Sequence, residues 1–166
     1  MRPSGGRALI AALVLTLAGC IYGFAGGGLP PHVKSVAVLP FDNETADPSL
    51  QRQIYDQLRR EVEGRLGLRE ASEGKADALV RGRIVRYDAD IPVAYSADPA
   101  RASSAERKLQ LTVDVEILDQ TTGRTLWQRK GLLEEGTYAE RSEPDGRRQA
   151  IEKLVNDVIA GAQSQW

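Results

Sequence analysis

Lys108-Leu109-Gln110-Leu111-Thr112-Val113-Asp114-Val115-Glu116-Ile117-Leu118-Asp119 decides the fold of this 166-residue chain. From Lys108 to Ile117 apolar and polar residues alternate without a break: Leu109, Leu111, Val113, Val115 and Ile117 fall on one side, Lys108, Gln110, Thr112, Asp114 and Glu116 on the other. A period of two belongs to a β-strand, and such clean partition belongs to one with a buried face and a wet face. Thr121-Thr122-Gly123 then supplies a hairpin turn, and Thr125 to Glu135 returns as the paired strand carrying Trp127. Leu126 and Leu132 have the opposite parity to Trp127, so the face taken by the indole stays open at this level.

Outward from this hairpin the periodicity changes. Glu143-Pro144-Asp145 opens a helix in which Ala150, Ile151, Leu154, Val155, Val158, Ile159 and Ala162 form one broad apolar stripe. Upstream, Ala78 to Tyr87 reads as a strand, with Ala78, Val80, Gly82 and Ile84 on one face and Leu79, Arg81, Arg83 and Val85 on the other. Before it, Leu50, Ile54, Leu58 and Val62 recur four apart in a one-sided helix. Asp47 is placed to cap that helix, Pro48 to occupy its first position, and Gly64 or Gly67 to end it. The run from Val33 to Pro40 is a further short strand, and 97–106 is a polar loop. The order β, α, β, β, β, α predicts an α+β two-layer sandwich, two helices on one face of a four-stranded, mostly antiparallel sheet. The other sheet face, rich in Arg, Lys, Gln and Thr, is left free.

At the N-terminus, Arg2 and Arg7 precede an apolar run from Ala8 to Ala18, about half the roughly 20 residues needed to span a bilayer. Leu17-Ala18-Gly19-Cys20 closes the run and resembles the lipobox of bacterial lipoproteins. That resemblance implies a signal peptide over 1–19, cleavage between Gly19 and Cys20, and lipidation of Cys20, the one cysteine of the chain. Ile21 stands where an Asp would hold a lipoprotein in the inner membrane, so the expected address is the periplasmic face of the outer membrane. Residues 20–32 form a glycine-rich tether ending in Pro30-Pro31, with Tyr22, Phe24 and Leu29 as apolar groups in it, and 33–166 form a single domain.

The chemistry is as informative for what it excludes. Loss of residues 1–19 removes two of the 22 Lys and Arg and none of the 23 Asp and Glu, leaving about −3, without the basic surplus of a nucleic-acid binder. His32 is the only histidine, which rules out a His-based zinc site or a triad built from several positioned groups. The glycines at 26–28 lack a following Lys-Ser or Lys-Thr, and Asp42, Glu44 and Asp47 lack EF-hand spacing. No enzyme, cofactor or metal is expected. Arg81, Arg83, Arg129 and Lys130 are candidates to meet glycolipid phosphates from exposed strand positions, against the simpler reading of a solvated sheet face.

The chain resembles the LptE family, the lipopolysaccharide-assembly lipoproteins of Gram-negative outer membranes. The likeness lies in the lipobox, the tether from Tyr22 to Pro31, the strand and turn from Val36 to Thr45, the strand Ala76 to Gly82, and Gly123-Arg124-Thr125-Leu126-Trp127. It implies a non-catalytic plug and assembly partner of an LptD-like β-barrel translocon, in contact with lipopolysaccharide, and a fold of two helices on a four-stranded sheet. Ile21 departs from the Gly that many members carry, and no motif here matches the family's lipid-contacting basic residues by position. A Val-Ala-Val-Leu-Pro-Phe strand followed by Asp-Asn and a helix also resembles periplasmic lipoproteins that activate peptidoglycan synthases and the related domain of curli-secretion lipoproteins, which supply the alternative.

Overall fold

The computed structural model describes residues 28–92, 107–139 and 142–164. The elements in chain order are β1 (Ser35–Val38), β2 (Asp42–Asn43), α1 (Ser49–Leu66), β3 (Arg69–Glu70), a 3-10 turn (Glu73–Lys75), β4 (Ala78–Pro92), β5 (Arg107–Asp119), β6 (Thr125–Tyr138) and α2 (Glu143–Gln163). Both helices sit where the apolar spacing placed them. Pro48 holds the cap position of α1, one place before the expected one, while the Asp47 carboxylate accepts the Ser49 amide at 2.9 Å. Gly67, at φ 64°, ends α1 in the left-handed conformation that glycine adopts without strain. The expected loop over 97–106, the signal segment and Cys20 lie outside the described residues.

The sheet corrects the expected architecture. It has six strands and is mixed, not four-stranded and mostly antiparallel. Its order is β3-β1-β4-β5-β6, with β2 also paired to β4; β1, β2 and β3 enter by parallel pairing, and only β4-β5 and β5-β6 are antiparallel. The two extra strands are two-residue bridges, too short to show a periodicity. The parallel pairing follows from the crossover through α1, which returns the chain to the end of the sheet where it began.

The core lies between the helices and one sheet face. Leu109, Leu111, Val113, Val115 and Ile117 of β5 all enter it with Ala78, Val80 and Ile84 of β4, as the alternation required. Phe41, wholly buried, lies against Gly82. A methyl group at Gly82 would meet the Phe41 ring at 2.6 Å and the Asp114 carbonyl oxygen at 2.5 Å, so glycine makes room for the ring. Leu79, on the opposite parity, is buried too, because the segment around the 3-10 turn folds over that end of the other face and packs Ala76 on Ala37 and Leu79.

Register breaks in β6 answer the question of Trp127. Ile117 pairs with Trp127 and Leu118 with Thr125, so Leu126 is an inserted residue and both it and the indole are buried. A second break sets Lys130 and Gly131 against Asp114; Gly131 takes φ 63° and donates its amide to Asp114 Oδ1 at 2.8 Å. Parity switches there, and Leu132 packs against the core as well.

Beyond the switch, Glu134 pairs in register with the buried Leu111 and so lies on the helix side of the edge strand. Burial, with Asp157 of α2 close by, pushes its carboxyl up to about 7. The folded state therefore holds a proton that the unfolded chain releases near 4.5. Stability from this group is fully present at low pH and declines as pH rises from about 4.5 to about 7. Discounted for solvent screening, the loss is about 1 kcal/mol between pH 5 and pH 8, read by thermal unfolding at the two values. Glu134→Gln should flatten that slope and raise the Tm at the higher pH.

Candidate functional site on the open sheet face

Because both helices pack on one side, the second face of the long strands β4, β5 and β6 is left to solvent beyond the 3-10 turn. Arg81 and Arg83 project from β4 on this face, directly opposite Glu116 and Asp114 of β5. Arg81 reaches Glu116 Oε2 at 2.8 Å, and Arg83 reaches Asp114 Oδ2 at 2.8 Å and Glu44 Oε1 at 3.2 Å. Further along, Lys108 pairs with Glu135 at 2.8 Å. The face is a ladder of opposite charges, with Leu39, Pro40, Asp42 and Gln128 bordering a shallow cleft of about 380 Å³ over the arginines.

The acids of this ladder are held ionised. Arg83, then the Gly131 amide, keep the Asp114 carboxyl below its usual range. The Thr125 hydroxyl and Arg81 do the same for Glu116 against the effect of burial. Arg83 in turn is raised by its bond to Asp114 and the charge of Glu44. The guanidiniums are thus oriented by carboxylates and exposed on their outer sides.

Two bulky apolar residues interrupt the charge. A register break between Ile84 and Arg86 leaves Val85 inserted and 37% exposed, and Leu133, opposite Thr112, is 49% exposed. Arg86 pairs with the same Thr112 from the other side, so Val85 and Leu133 flank one position of the central strand. The alternation of β4 placed Val85 on this face; the exposure of Leu133 depends on the parity switch and had no sequence signal.

The four cations expected to meet phosphates divide into three and one. Arg81 and Arg83 stand together as described. Arg129 pairs in register with Val115, whose side chain enters the core, and Lys130 lies in the bulge beside Asp114, close enough to lower both Asp114 and Glu116. The exposed cluster is therefore Arg81, Arg83 and Lys130 interleaved with acids.

His32 has a structural partner. Its Nε2 lies 2.8 Å from Oδ2 of Asp119, a carboxylate only 1% exposed that also accepts the Thr122 hydroxyl and the amides of Thr121 and Thr122. Burial disfavours the Asp119 anion, yet these donors prevail and hold it at about 2. Asp47 is likewise engaged, by Ser49 and by Arg147 at 2.8 Å. That arginine also reaches Glu143 and Ser49 at 2.8 Å and stacks 5.3 Å from the Tyr87 ring centroid, so it pins the starts of both helices to β4. Among the described residues no three His, Cys, Asp or Glu form a group able to hold a metal ion, and no helix is long and apolar enough to cross a membrane.

Residues 33–160 match the family model for LptE, lipopolysaccharide-assembly. No curated protein matches the chain. Among solved structures, a PelC dodecamer from Paraburkholderia phytofirmans is similar at 18% identity over 85% of this chain and 94% of that one, with a TM-score of 0.51. The lipoprotein GNA1162 from Neisseria meningitidis is similar at 12% identity over 76% of this chain and 95% of that one, with a TM-score of 0.45. At these identities the likeness to PelC is one of fold.

Proposed function

The chain belongs to the LptE family of lipopolysaccharide-assembly proteins, and from that premise we propose that it is a non-catalytic, lipid-anchored partner of an LptD-like β-barrel translocon at the periplasmic face of the outer membrane. Its role is to plug and help assemble the barrel and to meet lipopolysaccharide in transit. The observation that carries this reading is the one-sided sandwich: both helices stabilise one sheet face, while the other presents ordered charges and two exposed apolar side chains. Leaving Val85 and Leu133 in water gains nothing for the isolated domain, whereas a partner surface gains from covering them.

Affinity purification from outer membranes should recover a large β-barrel protein at near-equal stoichiometry. Recovery of a peptidoglycan synthase in its place selects the activator reading. Cys20→Ala should move the domain out of the high-salt-washed membrane fraction with its Tm unchanged, since the first residue packed on the core, Leu29, lies nine positions past Cys20; a variant that still sediments with washed membranes shows another anchor.

Lipopolysaccharide phosphates must compete with Glu116 and Asp114 for Arg81 and Arg83. Replacing both arginines by Ala should lower lipopolysaccharide binding about tenfold, with the loss shrinking at high salt. The opposite change, Asp114→Asn with Glu116→Gln, releases Arg81 from its carboxylate, leaves Arg83 with Glu44 alone, and should strengthen binding severalfold. Unchanged affinity in both variants returns these residues to an ordinary solvated face.

A further inference from the structure

We propose that the end of the domain where the tether enters is a docking surface for anionic phospholipid headgroups, formed by Lys34, Arg69, Lys75 and Arg124. Strand register brings the four together. Lys34 precedes β1, whose Ser35 pairs with Arg69; Lys75 precedes β4, whose Ala78 pairs with Asp119; and Arg124 precedes Thr125, which pairs with Leu118. The Gln120 amide locks the 3-10 turn to the β5-β6 turn by donating to the carbonyls of Glu73 at 2.6 Å and Ala76 at 2.8 Å.

Three of the acids at this end are already engaged. Asp77 accepts the Lys34 and Ser35 amides at 3.0 and 2.9 Å and the Ser35 hydroxyl at 2.7 Å, and Asp119 is buried under His32 and the β5-β6 turn. Glu70 is taken by Arg59 at 2.6 Å. The four cations are not: all are exposed, and none enters an ion pair among the described residues. Of the acids here Glu73 alone is exposed and unpaired. This contrasts with the open sheet face, where Arg81 and Arg83 are each matched by a carboxylate.

Chain length selects the occupant. This step rests on the acylation of Cys20 proposed above. Leu29, which packs against the core, lies nine positions from Cys20, and the His32-Asp119 pair fastens the next turn to this same end. Fully extended, that tether reaches about 30 Å. The 15-residue β4 carries the opposite end of the sheet about 45 Å away, so an inverted domain is out of reach of the leaflet, while the basic end lies beside it. Juxtamembrane cations bind anionic leaflets additively and in a salt-sensitive way.

The test separates the surface from the anchor. The whole mature chain, residues 20–166 with Cys20→Ala, is sedimented with phosphatidylglycerol-rich vesicles and with phosphatidylcholine vesicles. Partitioning should be at least about tenfold stronger on the anionic vesicles and collapse at high salt. Lys34→Gln, Arg69→Gln, Lys75→Gln and Arg124→Gln combined should erase the preference, while Arg52→Gln with Arg60→Gln on α1 should keep it. Equal binding to both vesicles, an unaffected quadruple variant, or an equal loss in the α1 pair overturns the assignment, and the first of these is also what a surface made for a protein would give. Failure of the anchor reads elsewhere, as an N-terminal peptide without acyl mass, and leaves the vesicle result standing.

Discussion

Gly136→Ala should be among the most damaging single substitutions in the domain, lowering stability by about 3 kcal/mol and the Tm by about 10 °C. Gly136 lies on β6 opposite the buried Leu109, where the first turn of α2 crosses the strand. A Cβ there would fall 1.8 Å from the Gly146 carbonyl oxygen and 2.6 Å from its carbon. Both atoms are backbone, so no rotamer change relieves the clash, and α2 must lift from the sheet. The same displacement pulls Arg147, one residue on, away from Asp47, Ser49 and Tyr87. Denaturant unfolding of the variant measures the loss; a midpoint equal to that of the parent contradicts this packing.

Phe41→Ala should cost about 4 kcal/mol, because it removes a wholly buried ring from a place that cannot collapse. The ring fills the space left by the absent side chain of Gly82, and Gln51 of α1 donates to the Phe41 carbonyl at 2.7 Å, so the backbone there is fixed. The informative comparison is Leu133→Ala. Half exposed on the open face, Leu133 should change folding stability by no more than about 0.5 kcal/mol, yet weaken association with the barrel partner proposed above. Equal destabilisation by the two variants would mean that Leu133 is part of the core.

The long elements were legible because their signals are local. The alternation of β5 and the four-residue spacing of α1 are complete within the segments themselves, and every residue they placed inside is buried; β5 adds Asp119, a buried carboxylate that no apolar pattern shows. The strands β2 and β3 were not legible: two residues define no period, and Asp42-Asn43 and Arg69-Glu70 are strands only because β4 and β1 offer free edges beside them. The family likeness rested on the lipobox, the tether and the strand motifs at 36–45, 76–82 and 123–127; the family model matches residues 33–160, which include the strand motifs but not the lipobox or the tether. Among the candidate site residues, the alternation of β4 placed Arg81 and Arg83 on the open face. It could not show that each faces an acid, since register between strands sets that.

His32 marks the same boundary from the other side. Its neighbours in sequence describe a proline-bounded tether, and the excluded catalytic role leaves it without an assignment. The fold brings it to Asp119, 87 positions away, and makes it a fastening. Composition and periodicity by themselves determined two one-sided helices and a two-faced sheet, because burial patterns are properties of the chain. Only the tertiary structure decided the mixed six-stranded sheet, the inward turn of Trp127, the pairing of the arginines and the cluster of unpaired cations beside the tether. Those depend on strand register and on bulges of single residues, where a shift of one position turns a side chain from core to solvent.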